Sequence, residues 1–232
     1  MPLAALAPLL LAAAAAAPAA GAPPPDEADI VVVGNSGKAY RLTPGQLRAA
    51  AEAFLGNARE FAPAARLVWQ VVPASAAEGL ALTLRCGDDP LPIELEARGR
   101  FVLPLERLRS GKCRLTSNRA KKGGGLRISP LALSPGSERD NYRFGDARLS
   151  CRVGASFALS EAGMMARGLF AMIGGCDSKR ISIFLGGERA IAGVTIAGWK
   201  GPVELAKNGK AYRVPLYDKA ISNEARVRVS YR

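Results

Sequence analysis

Histidine is absent from all 232 residues. Without an imidazole the chain cannot build a Ser-His-Asp or Cys-His nucleophile, a histidine metal site or a histidine proton relay. No CxxC pair occurs either, so zinc is disfavoured and no metal or other cofactor is expected. Ser-x-x-Lys and Gly-x-Ser-x-Gly are also missing, and no catalytic residue is assigned. The stretch Gly34-Asn35-Ser36-Gly37-Lys38 falls short of a phosphate loop. The positions that would need Gly and Ser or Thr hold Val32 and Ala39, so it reads as a turn. Charge is missing from residues 1–25, acid from residues 107–137, and aromatics from residues 107–127.

The uncharged N-terminus carries an Ala/Leu run over residues 3–17, broken only by Pro8, and then the small residues 18–22. That is the pattern of a secretory signal peptide, expected over residues 1–21. The run is short against the roughly 20 residues a spanning helix needs, so no transmembrane segment is expected after cleavage. No cysteine precedes Cys86, which excludes a lipoprotein anchor. Export makes disulfides the default for the four cysteines Cys86, Cys113, Cys151 and Cys176. Three pairings are open. The sequential one, Cys86–Cys113 with Cys151–Cys176, keeps each bridge local and is the pairing expected.

Residues 22–64 read as a proline-rich spacer, a strand at 29–34 and a helix. Thr43-Pro44-Gly45-Gln46 is a capping box with Pro at the first helical position. Leu47, Ala50, Ala51, Phe54 and Leu55 form one apolar face, and Gly56 marks the expected stop. From residue 65 the texture is β: residues 66–72, 80–86, 113–116, 126–129 and 147–153 read as strands. The last of these alternates, with Ala147, Leu149, Cys151 and Val153 on one face. Residues 160–173 favour helix, and Met164, Met165 and Met172 there are expected to pack between modules rather than form a plastic binding surface. The fold class expected is mainly β: two tandem small antiparallel sandwiches over residues 65–155 and 156–232, one N-terminal helix, and a short inter-module helix.

A repeat supports the tandem arrangement. Residues 92–105 and 202–216 each hold an alternating run with Glu94 or Glu204, a Gly turn at Gly99 or Gly209, an aromatic-led run and a Pro-Leu end. That is hairpin grammar. A strand joined to Gly99-Arg100-Phe101-Val102-Leu103-Pro104 resembles the small Greek-key sandwiches of the transthyretin and carboxypeptidase-regulatory type. The whole chain, with its Ala-rich leader and tandem β body, resembles uncharacterised exported proteins of proteobacteria. The resemblance implies a fold and carries no site residues.

The functional signal lies in charge, a net +12. One basic window holds Arg107, Arg109, Lys112, Arg114, Arg119, Lys121, Lys122 and Arg127, and a second places Arg226, Arg228 and Arg232 on one strand face. These are candidate contacts for an anionic envelope polymer or lipid surface. The same charges could simply keep outward faces soluble and edge strands unpaired. The missing aromatics argue against nucleic acid. Paired carboxylates could run a hydrolase, but Glu94 and Glu204 alternate outward in separate modules and Asp88-Asp89 is a turn. An exported, non-catalytic, periplasmic or secreted binding or scaffolding protein is the function expected. A periplasmic chaperone or assembly factor is the alternative.

Overall fold

In the computed structural model the described residues are 39–120, 126–138, 140–180, 184–186 and 189–232. The expected leader, the strand at 29–34, the tip carrying Lys121 and Lys122, and residues 181–183 lie outside them.

The described chain opens with β1 (Ala39–Leu42) and α1 (Pro44–Phe61), followed by β2 (Arg66–Val72), β3 (Leu82–Cys86), β4 (Pro90–Ile93) and β5 (Arg100–Phe101). Next come α2 (Leu105–Arg109), β6 (Cys113–Ala120), β7 (Arg127–Leu133), β8 (Asn141–Arg143), α3 (Phe144–Leu159) and α4 (Met164–Met172). The last four strands are β9 (Phe184–Gly186), β10 (Ile191–Ile196), β11 (Ala211–Arg213) and β12 (Arg226–Tyr231). The sheets run β1-β6-β3-β4, β5-β2-β7, β10-β12-β8 and β11-β9. Every described pairing is antiparallel. The protein is therefore β-rich and antiparallel, with a substantial helical share.

Alternation explains the first sheet. Leu42, Leu115 and Leu84 lie opposite one another on a single row and are buried, while the residues between them turn outward. Helix α1 lies beside α3. It starts where its capping box forms: Thr43 Oγ1 accepts from the Gln46 amide at 3.2 Å, and the Thr43 amide donates to Gln46 Oε1 at 2.9 Å. It runs past Gly56 to Phe61. A Gly inside a helix costs only about 1 kcal/mol, and carrying on buries Phe61. The helix ends before Pro63, whose ring disfavours helix in the residue ahead of it.

Residues 147–153 are not a strand. They lie inside α3, whose Leu149, Val153 and Phe157 recur every fourth residue. An alternating strand and a helix both put residues 149, 153 and 157 on one face, so spacing alone does not separate the two, and packing decides for the helix. Phe157 reaches Trp69 edge-on at 5.8 Å, in the first of two hydrophobic clusters. That cluster joins the first two sheets to α1 and to Leu149 and Val153. The second gathers Tyr142, Phe144, Ala147, Tyr212 and the C-terminal strands. Helix α3 thus serves both clusters. Gly145 makes this possible: a Cβ there would sit 2.0 Å from the Phe61 carbonyl oxygen.

Helix α4 occupies the expected place, but its methionines do not pack between modules. Met164, Met165 and Met172 are 89%, 89% and 77% exposed. The segment is held from its ends, by Cys151–Cys176, by the Arg152–Asp177 pair at 2.8 Å and by Arg167 donating to the Leu159 and Ser160 carbonyls. The two repeat copies share a turn rather than a sheet. Gly99 and Gly209 both have positive φ, 69° and 63°, and each turn closes on a bridge, Glu96–Arg100 or Leu205–Tyr212. Yet β4 pairs with β3 while β5 joins β2, so the arms of the first copy enter different sheets.

Candidate functional site

The four sulfurs form two bonds, Cys86–Cys113 and Cys151–Cys176, with no free thiol. Cys86 and Cys113 are cross-strand partners of β3 and β6, so pairing register brings them together. Cys151 on α3 reaches the 3-10 turn Gly175–Asp177. Two intramolecular bridges are the product of an oxidising compartment outside the cytoplasm.

The basic residues, contiguous in sequence, are dispersed in space. Arg107 faces Asp89 at 3.6 Å and Arg109 faces Glu106 at 3.1 Å. Arg119 turns inward and donates to the Ala76 and Glu78 carbonyls, pinning a 3-10 turn. Arg226 donates to the Gly136 carbonyl at 3.4 Å, whereas Lys112, Arg228 and Arg232 are exposed. Arg127 lies at the start of β7 and lines a cleft.

Arg114 has a different setting. Its cross-strand partner is Arg85, and Arg41 sits on the same face opposite Thr116, two residues along β6. All three are exposed, and none makes an ion pair or side-chain hydrogen bond among the described residues. Directly opposed like charges destabilise a sheet. Nor is edge protection the reason at Arg85 and Arg114, since β3 and β6 are inner strands, although Arg41 lies on the edge strand β1. Strand β12 repeats the placement, basic and central between β10 and β8. Arg41 and Arg85 fall outside the basic window; strand pairing alone brings them to Arg114.

Two side chains that sequence reasoning missed organise the interior. Arg148 on α3 is buried. Its guanidinium donates to the carbonyls of Leu216, Asp218 and Ile221 and to Asn223 Oδ1, and it stacks 4.7 Å from the Phe144 ring centre. Burial, and then Arg152, pulls its pKa down from the ordinary arginine value. Arginine starts so high that it stays charged. Asp146 is equally buried, and each of its oxygens accepts a hydroxyl, from Ser134 and Ser137, at 2.6 Å. A Ser-x-x-Ser ahead of a buried helix start is the signal that could have pointed to it.

Two concavities are present. An open groove of about 760 Å³ runs between α1, α3 and α4, and its main charges, Arg152 with Asp177 and Arg167 with backbone carbonyls, are already partnered. The second, about 270 Å³, lies between the outer face of β2 and β7 and a wall of Tyr142, Tyr212, Phe184 and Leu185. Tyr142 and Tyr212 hydrogen-bond hydroxyl to hydroxyl. Burial pushes both phenols above the ordinary value, their mutual contact adding to the rise at Tyr142. No group of three or more His, Cys, Asp or Glu fit to hold a metal occurs among the described residues. No helix among them is long and apolar enough to cross a membrane.

The architecture and bridges thus define a β-rich, disulfide-bonded protein of an oxidising compartment. No family model matches the chain, and neither a search of curated proteins nor one of solved structures finds a match.

Proposed function

We propose that this is a non-catalytic binding protein of the cell envelope, periplasmic or secreted, that meets an anionic polymer or lipid surface with its arginine-bearing strand faces. The observation that carries this is the Arg85–Arg114 cross-strand pair with Arg41 beside it, exposed and without counter-ions among the described residues. Fixed on one pleated face, three guanidiniums gain more from a polyanion than from solvent, because each offers a planar fork to a sulfate, phosphate or carboxylate. A net +12 adds long-range attraction. The basic central strand β12 offers a second face.

Retention on immobilised heparin and on lipopolysaccharide, with elution by salt, tests the reading. A triple Arg41→Ser, Arg85→Ser, Arg114→Ser variant is expected to elute well before one in which the exposed Arg59, Arg66 and Arg180, on neither face, become Ser, although the net charge is the same. Equal elution of the two would sink the proposal, since net charge alone would then explain retention.

A further inference from the structure

We infer that the 270 Å³ cleft binds a small monocarboxylate with an apolar body, the carboxylate on the Arg100–Gln70–Ser129 row and the body against the tyrosine wall. This stands apart from the arginine face and does not depend on it.

The floor is built by strand register. Gln70 on β2 lies opposite Arg100 on β5 and Ser129 on β7, so three polar side chains form one cross-strand row, about 5 Å apart. All three line the cleft, and Arg127 joins them from the neighbouring row, opposite Val72. The Arg100 Nε–H is buried and without a partner, while Nη1 is held 3.3 Å from Glu138 Oε2. That ion pair fixes the guanidinium and leaves its inner edge to donate. Neither the Gln70 amide, the Ser129 hydroxyl nor the Arg127 guanidinium has a side-chain partner among the described residues. Convergent donors without an acceptor, on a floor closed by apolar walls, are what an anionic head group needs.

The nearby acids do not oppose it. Glu138 Oε2 is shared by Arg98 at 3.1 Å and Arg100, and Asp146 is occupied by its two serine hydroxyls. The raised phenols of Tyr142 and Tyr212 stay neutral at ordinary pH and add no negative charge. Beyond the polar row the floor turns apolar at Leu131 and Leu133, facing Phe184 and Leu185. The volume decides the size of the guest. It falls just under the usual range of about 300–1,000 Å³, enough to bury one ring or a short chain.

Calorimetric titration of the full oxidised chain with benzoate and octanoate, against benzyl alcohol and 1-octanol, tests this. Saturable one-site binding of at least one acid is expected, with its alcohol about tenfold weaker or more. Preference between the acids tells a ring-bearing guest from an acyl one. Arg127→Gln, a surface change, should weaken the acid about tenfold and leave the alcohol unchanged. Leu131→Trp, which fills the cleft, should abolish binding with the melting temperature held near wild type. The triple Arg41, Arg85, Arg114 variant should bind the acid normally. Failure of both acids to bind, equal affinity for acid and alcohol, or indifference to Arg127→Gln would each overturn the inference.

Discussion

The Arg148 guanidinium donates to Asn223 Oδ1 at 2.6 Å, tying helix α3 to the loop ahead of β12. Three more of its hydrogen bonds end on carbonyls of the same loop. Replacing Arg148 by Met leaves those buried acceptors without donors, at a cost of about 3 kcal/mol. Lysine restores the charge but not the fork, and should recover only part. Urea midpoints at constant m-value measure both. A Met variant as stable as wild type would mean that the loop is held by apolar packing alone.

The two disulfides close loops of nearly equal length, with sequence separations of 27 and 25. Chain entropy assigns each about 3 kcal/mol. Their local consequences differ. Cys86 and Cys113 join strands that backbone pairing already holds, whereas Cys151–Cys176 ties down a segment whose helix α4 buries no residue. Cys151→Ser with Cys176→Ser should therefore strip hydrogen-exchange protection from α4 while β2 exchanges only as fast as the global loss allows. Uniform loss across the chain would contradict this.

The tyrosine pair predicts the alkaline limb of stability. Tyr142 and Tyr212 both have folded pKa values raised above the usual phenol value of about 10. Below that value both states keep their protons and these groups make stability independent of pH. Above it the unfolded chain releases protons that the folded chain retains, so stability falls as pH rises. Tyr142→Phe should flatten that fall and, at neutral pH, cost about 1 kcal/mol for the lost hydrogen bond. Circular dichroism melts between pH 8 and pH 12 read both effects, and an unchanged slope in the variant would refute the assignment.

At the arginine face, stability and binding should move in opposite directions. Arg85→Thr relieves a like-charge pair on a central sheet position and introduces a good strand former. Stability should hold or rise by about 0.5 kcal/mol, while heparin elution shifts to lower salt. A clear loss of stability would show instead that the Arg85 side chain carries packing across β4.

Local physics settled much of this protein before any folding partner was considered. The Thr43 capping box starts α1, alternation at Leu115 and Val227 gives the central strands their buried faces, and four cysteines without histidine or CxxC lead to disulfides. Tertiary contact decided the rest. The alternation at Ala147, Leu149, Cys151 and Val153 reads as one strand face, whereas the helix splits it, Leu149 and Val153 into one cluster and Ala147 and Cys151 into the other, and the packing of Phe157 against Trp69 and the close approach of Gly145 to Phe61 select α3. Which arginines lie together was equally hidden. Arg41, Arg85 and Arg114 are distant in sequence and meet through strand register, as do Arg100, Gln70 and Ser129. A one-dimensional pattern specifies which face a side chain takes, but neighbours across a sheet are set by the pairing of strands, and that pairing exists only in the folded chain.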